Sequence, residues 1–488
     1  MDPIHLTIFH TNDMHARLDA MSRLSSLVRR MRDEAKAQGR LTFLWDAGDA
    51  ADRRSRLCSI TKGAGFADIL NIMGYGLQTM GNAVALPYGP QAMADVAKRA
   101  NFPILAANCR DGFSPLPDGL EETAIIPLPY GLKMGVIGLT APWGGLYEVF
   151  GLHFPDTYLL TRELIEDLKN KDVAVIVVLS HLGLEEDRRL AETLSGIDLI
   201  IGGHSHDLLP HGEMVNGVLI VQAGMFAEAL GRIDLELNPQ DGRIINASAR
   251  VFNISEDEEP DPAVLEVIAS LESEVNQLML QPVGILEESL DLDHYQECDI
   301  GNLTADALRL RMEAEAAVVS SGLFHKGLSK GKVTLGDLPA ACFSSANPCL
   351  TAFRGSQIVE ALERGLDPAI NQHLHHGFRG TPIGIPQVSG MTIQFDLNAK
   401  IGNRVKSISI QGEPLSSDRI YRIAHTDAET MPAYGYFQLE ADQQSRHEVP
   451  TIVREAIADF FSQHETIQKP IRGRWQPFPS RNGEKTHV

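Results

Sequence analysis

The sequence predicts an α/β protein of two domains, and three observations carry that prediction. Short apolar runs alternate with longer stretches of helical periodicity, the pattern of strand, crossover helix and strand. Five of these runs stop abruptly at residues able to bind or catalyse: 6–11 before Asp13 and His15, 41–45 before Gly48-Asp49, 77–80 before Gly81-Asn82, 173–179 before Ser180-His181, and 197–201 before Gly202-Gly203-His204-Ser205-His206. An acidic, proline-punctuated segment, 255–262, then separates this half from a second half with its own alternation.

The elements follow in order. Leu18, Met21, Leu24, Leu27, Val28 and Met31 have helical spacing with basic residues between, closed by Gly39, which predicts the first crossover helix. Residues 66–73 and 92–100 predict two more helices, 102–107 a strand, and 123–128 with 134–139 a hairpin around Pro-Tyr-Gly. A helix over 161–169 precedes the runs that deliver His181 and His204, and strands at 218–223 and 233–237 close the first domain at residue 254. Val264, Ile268, Leu271, Val275 and Leu278 form one apolar seam, read as a connecting helix within a linker spanning 255–283. The second domain, 284–476, should hold helices at 302–316 and 356–364 and strands at 317–320, 388–395, 404–410 and 421–424, followed by a polar, frayed tail over 477–488.

Composition narrows the function classes. The 43 basic and 64 acidic residues of this 488-residue chain give a net charge of −21, which disfavours non-specific attraction to nucleic acid polymers or anionic membranes. Its 5 cysteines are odd in number and widely spaced, which argues against both a disulfide framework and a thiolate zinc site. No apolar segment has the length to span a bilayer. The first strand starts at about residue 4 and leaves no room for a signal peptide, so a cytoplasmic location is expected unless the start is processed.

If the strands form one layer, Asp13, His15, Asp49, Asn82, His181, His204 and His206 converge on one edge, since α/β proteins bind ligands beyond the carboxyl ends of their strands. The set offers nitrogen and oxygen donors and no thiolate, which suits borderline and hard cations such as Mn²⁺, Zn²⁺, Fe or Co. Asp49 could bridge two of them. Taken singly, Asp13 is a helix cap or turn residue, Asn82 a turn residue and His181 a packed imidazole. Two histidines in a glycine-preceded loop at a strand end are harder to explain structurally, and the ordered set favours metal.

Asp-x-His, Gly-Asp, Gly-Asn, His and Gly-His-x-His in this order resemble the calcineurin-like metallophosphoesterases. With Thr11-Asn-Asp-Met-His15 at the start and a large second domain behind, the chain is most similar to their 5′-nucleotidase branch. The resemblance implies a four-layer αββα sandwich, which periodicity alone does not decide, joined by a helix to an α/β substrate domain. It implies one cation on Asp13, His15, Asp49 and His206 and a second on Asp49, Asn82, His181 and His204, with Asp49 and Asn82 at the catalytic centre. It further implies hydrolysis of phosphoesters, nucleotide monophosphates above all, by an activated water, the substrate being clamped between two domains. A cyclic-nucleotide or phosphodiester hydrolase and a catalytically weakened binding protein are the alternatives. Many members of the branch are exported, which this start does not match.

The pattern departs from the family at two places. Active relatives follow Gly-Asn with a histidine that steadies the reacting phosphate or protonates the leaving oxygen; here Ala83 stands there, with Tyr88 and His10 as candidate replacements. A missing general acid costs about two to four powers of ten. In the second domain the resemblance rests on Gly301-Asn302-Leu303-x-Ala305-Asp306-Ala307, on 327–338 leading to Phe343, and on Gln387-Val388-Ser389-Gly390. The expected Asn-x-Gly-Gly-x-Arg is only Ser320-Ser321-Gly322-Leu323-Phe324-His325. Asn302, Phe343, Tyr434 and Phe437 are the candidate substrate contacts, with Phe378 also considered and core packing the alternative for each ring. Asp46 is read as support behind the ligands. His373, His375 and His376, and the Arg53, Arg54, Arg56 run, are read as solvated surface.

Overall fold

The computed structural model describes residues 2–112, 116–143, 145–374, 381–464, 466–470 and 472–479. Its chain divides into two compact units, Met1–Val275 and Asn276–Val488, and the helix Pro262–Met279 runs across that division.

Two six-stranded sheets build the first unit. In one, Ile4–Thr11, Leu41–Asp46, Leu77–Thr79 and Ile104–Leu105 run parallel, with Ala229–Leu237 antiparallel beside the first and Ile244–Asn253 antiparallel beside Ala229–Leu237. The other has Lys133–Thr140, Val175–His181, Leu199–Ile201 and Val218–Val221 parallel at its centre, edged by Thr123–Pro127 and Glu213–Val215. Leu6, Ile8 and Trp45 of one sheet meet Val175, Val177, Leu179 and Leu199 of the other in a common core. The alternate residues Ile176, Val178 and Ile200 turn outward onto Leu164, Ile165, Leu168 and Leu190 of the helices Thr157–Asn170 and Leu184–Thr193. Strands buried on both faces read as unbroken apolar runs, which is why the sequence exposed them. On the first sheet, Leu18–Ala37 buries the stripe Met21, Leu24, Leu27, Val28 and Met31. The architecture is the αββα sandwich expected.

The second unit contains a five-stranded sheet, ordered Pro386–Ser389, Ala316–Ser320, Ile420–Thr426, Pro348–Arg354 and Arg446–His447, and a four-stranded sheet of Glu413–Pro414, Val405–Ile410, Met391–Phe395 and Trp475–Pro477. Their apolar faces join helices Asp299–Arg311, Gly355–Gly365 and Val453–Ser462 in one core.

Several elements differ from expectation. The single strand at 388–395 is two strands in different sheets, because Gly390 has φ +70° and a side chain there would meet Glu315 O at 2.5 Å. The helix expected to reach 316 stops at Arg311, where Glu313 turns left-handed at φ 52°. The helix expected from 92 begins at Asn82 and is kinked at Gly89, between Pro87 and Pro90. Strand Ile244–Asn253 was not foreseen: its half-exposed face carries little apolar signal. All five cysteines are free and buried. Among the described residues no helix is long and apolar enough to cross a membrane. Residues 375–380, with His375, His376 and Phe378, and the tail from 480 lie outside the described residues.

Candidate metal centre

Each parallel strand releases its chain at the same edge of its sheet, and hydrogen bonds stitch the departing loops together. Asp13 N donates to Gly48 O and His15 N to Asp49 O, both at 2.9 Å. Asn12 reaches across: its Oδ1 accepts from Ala223 N (2.9 Å), and its Nδ2 donates to Gly224 O (2.6 Å) and Asp13 Oδ2 (2.9 Å). The edges of the two sheets meet where His181 Nδ1 lies 2.7 Å from Ala47 O. Glycine permits this proximity, since a Cβ on Gly81 would lie 2.0 Å from Asp49 Oδ1.

Five predicted ligands are held in the left-handed backbone region: Asp13 (φ 51°), His15 (46°), Asp49 (57°), His204 (75°) and His206 (64°). That region costs a non-glycine residue roughly 1–3 kcal/mol and persists where surrounding structure enforces it, most often at functional sites. Their concentration at one edge is a mark of function that no turn or cap requires.

The donors form two groups, each with its ligand atoms within 4.8 Å of one another: Asp13, His15 and His206; and Asp13, Asp49 and His181. In the first, Asp13 Oδ1 stands 3.3 Å from His206 Nε2 and 3.7 Å from His15 Nε2, and the two imidazole nitrogens are 3.1 Å apart. In the second, His181 Nε2 stands 3.3 Å from Asp49 Oδ2. Asp13 is thus common to both groups, where the resemblance implies Asp49 as the bridge. Asp13 Oδ2 is occupied by Asn12 and by His204 N (2.8 Å), leaving Oδ1 for a cation. Asp49 Oδ1 accepts from Ala83 N at 2.7 Å. His204 joins neither group; its ring lies edge-on to His181 at 5.1 Å and to Trp143 at 5.7 Å.

Asp13 Oδ1, Asn82 Oδ1 and His181 Nε2 are buried without a hydrogen-bond partner. A buried polar atom without a partner is rare and costly, and three at one edge, all oxygen or imidazole nitrogen, fit divalent cations.

The electrostatics agree. Burial opposes the charge on Asp13, yet His206 at 3.3 Å, the nearby His181 and the bond from Asn12 hold its pKa below the usual value. Burial likewise opposes protonation of His181, but Asp49 overrides it and raises the pKa to about 9. The nearby Asp13 raises the pKa of His206, and burial lowers that of His204. Negative potential at the two donor groups therefore attracts cations, protons included.

Other candidates fall elsewhere. His10 is buried against Gly231, and burial holds its pKa down to about 3, so it is neutral and no proton donor. Tyr88 shares a hydrogen bond with the thiol of Cys58. Asp46 lies beneath the loop, accepting from Thr11 Oγ1 (2.7 Å), Gln78 Nε2 (2.8 Å) and Gly48 N (3.1 Å), with burial raising its pKa to about 7. Arg53, Arg54, Arg56 and His373 are exposed. In the second unit, Phe437 is buried and stacked on Phe353 at 4.1 Å, Phe343 is buried against His325 at 4.1 Å, and Asn302 is buried with Nδ2 on Glu297 and Oδ1 without a hydrogen bond. Apolar rings are drawn into whatever core is available. Tyr434 is half-buried.

Sequence reading missed three residues. Asn12 stitches the loops; Gln222 holds the histidine loop through Gly203 O (2.9 Å) and Asp207 N (2.9 Å); and Asp52 Oδ2 lies 3.6 Å from His15 Nδ1, where it can orient the imidazole. The signal for Gln222 was present, since it too ends an apolar run.

Residues 6–208 match the family described as calcineurin-like phosphoesterase, and residues 281–438 match the 5′-nucleotidase C-terminal domain. An uncharacterized metallophosphoesterase of Bacillus subtilis (strain 168) is 25% identical over 456 residues, covering 93% of this chain and 98% of its own. A snake venom 5′-nucleotidase of Naja atra is 27% identical over 539 residues, covering 96% and 98%. The structure of NAD nucleotidase from Haemophilus influenzae shares the fold at TM-score 0.59 and 16% identity, covering 98% of this chain and 100% of that one. That of a 5′-nucleotidase precursor from Thermus thermophilus does so at 0.51 and 23%, covering 98% and 100%.

Proposed function

We propose that this chain, which belongs to the calcineurin-like phosphoesterases with a 5′-nucleotidase C-terminal domain and is thus a metal-dependent phosphoester hydrolase, releases phosphate from nucleotide monophosphates or related nucleotides at the cluster around Asp13. The observation carrying this reading is the pair of donor groups sharing Asp13, in a chain whose second half matches the 5′-nucleotidase C-terminal domain. Asp13, His15 and His206 would hold one divalent cation; Asp49, His181, Asn82 and His204 would complete a second site. Cations there supply positive charge to the phosphoryl oxygens and lower the pKa of the attacking water.

The residues of the chain do the rest. Asn12 and Gln222 fix the loops, so that donors need not reorganise as charge develops on the phosphate. Asp52 orients His15. Ala83 supplies no imidazole, so substrates with a good leaving group should turn over faster than ordinary monoesters. The same centre can attack a diester, and comparison of AMP with a cyclic nucleotide separates the two readings.

The test is to purify the protein, quantify bound metal, and assay mono- and diester substrates with added Mn²⁺ beside Asp49→Asn. Turnover by the wild type, reduced by about 10²–10³ or more in the variant, supports the reading, that range being the scale of losing one transition-state electrostatic contact. No turnover of any phosphoester above the variant overturns it.

A further inference from the structure

Arg17 stands two residues beyond the candidate ligand His15, exposed, at the start of the helix Leu18–Ala37. Its guanidinium lies over the ring of Phe226, with Cζ 4.4 Å from the centroid. The same ring borders the first donor group, meeting His15 edge-on at 5.8 Å and standing 6.4 Å from His206. Phe226 and Ala227 follow each other in the left-handed region, at φ 61° and 55°. For a bulky side chain that conformation is an outlier, and it persists only where the surrounding structure enforces it. Phe226 N donates to Asp13 O at 2.8 Å, so the ring is pinned to the loop that carries the shared ligand.

In a chain of net charge −21 an arginine has carboxylates to choose from. Arg17 takes none: among the described residues no carboxylate pairs with it, Asp19 pairing instead with Arg23 at 3.3 Å and Asp52 facing His15 at 3.6 Å. Stacking occupies the face of a guanidinium and leaves its in-plane N–H donors for an anion. The result is a fixed, uncompensated cation beside the donor group of Asp13, His15 and His206.

We infer that Arg17, aimed by the Phe226 ring, binds an oxygen of the substrate's phosphate on the His15 and His206 side of the centre and thereby selects phosphomonoesters over diesters. The inference rests on the phosphoester reading for the presence of a phosphate there, and it deepens that reading by naming the side chain that senses the phosphate's charge. A monoester carries close to two negative charges near neutral pH and a diester one, so a fixed cation attracts the monoester about twice as strongly. The fork of a guanidinium also matches two phosphoryl oxygens at once, which an esterified oxygen serves less well.

Calorimetric titration of the Mn²⁺-loaded protein with inorganic phosphate tests the contact without turnover. Arg17→Gln should weaken phosphate binding about tenfold or more, the scale of losing a hydrogen bond to a charged group. Mn²⁺ affinity should be the same in both proteins, which a merely structural role beside His15 would not allow. In turnover, the variant should lose about tenfold or more in kcat/KM on AMP and less on the diester bis(p-nitrophenyl) phosphate. Absence of phosphate binding by the wild type, equal phosphate affinity in the variant, a matching loss of Mn²⁺ affinity, or equal losses on the two esters overturns the inference. If the wild type hydrolyses neither ester, the phosphoester reading fails; the phosphate titration still decides whether Arg17 holds the anion.

Discussion

The metal-facing edge of the first unit and the aromatic core of the second treat their chemistry-bearing residues differently, although Asn302 Oδ1 of the second is also buried without a hydrogen bond. At the sheet edge of the first, Asp13 Oδ1, Asn82 Oδ1 and His181 Nε2 are buried and unpartnered, and five backbone residues are held left-handed. In the second, Phe437 lies on Phe353, Phe343 on His325, and buried His425 bonds through both nitrogens, to Thr426 O (2.7 Å) and Thr351 Oγ1 (2.8 Å). Burial with partners satisfied builds a fold; burial of polar atoms facing one another without hydrogen bonds marks a site complementary to something else.

The largest effect that would sharpen this contrast comes from Ala83→His. The bond from Ala83 N to Asp49 Oδ1 is made by the backbone and survives the change, so the variant adds an imidazole without disturbing the donor groups. Monoester turnover should rise by about two to four powers of ten; steady-state kcat on AMP measures it, and an unchanged rate would mean that another group already serves the leaving oxygen.

Phe437→Ala probes the other region. A buried aromatic truncated to alanine costs about 3–5 kcal/mol, so urea unfolding should show a large loss. If Phe437 serves packing, KM for AMP measured below the transition should stay within about threefold, far short of the loss expected for a missing stacking face. A selective rise in KM would instead make Phe437 a contact to substrate.

Acid should weaken the second unit through His425. Burial lowers its pKa from 6.5 to about 4, so between those values the unfolded chain binds a proton that the folded chain refuses. Stability contributed by the neutral ring is present above about pH 6.5 and is lost as pH falls toward 4, on the order of 3 kcal/mol in all. Unfolding midpoints at pH 7.5 and 5 should diverge in the wild type and converge in His425→Gln.

The smallest effect concerns the support behind a ligand. Asp52→Asn removes the charge 3.6 Å from His15 Nδ1 and should weaken metal affinity by about 10- to 100-fold, read by metal titration. No change would make Asp52 a surface residue.

Much of the first unit was legible because its signals are local. The stripe Met21, Leu24, Leu27, Val28 and Met31 declares a helix by period, and a strand buried on both faces declares itself as an apolar run. Aspartates and histidines directly after such runs sit at strand ends by chain connectivity alone, so Asp13, His15, Asp49, Asn82, His181, His204 and His206 could be named without coordinates. Turns that depend on backbone sign were less legible: Gly390 divides one apolar run between two sheets, and Glu313 ends a helix that composition would continue.

The amino-acid order by itself therefore determined the alternation of strands and helices and the polar identities at the strand ends, since both follow from spacing along the chain, while the sandwich was implied only by family resemblance. Only the folded chain decided that Asp13 stands in both donor groups, that Asn12 ties its loop to one 211 residues away, and that Phe226 carries Arg17 while Phe437 fills a core. Those choices depend on which distant segments meet, and an aromatic ring has the same chemistry in a core as at a ligand; what separates the two is the atoms that cover it.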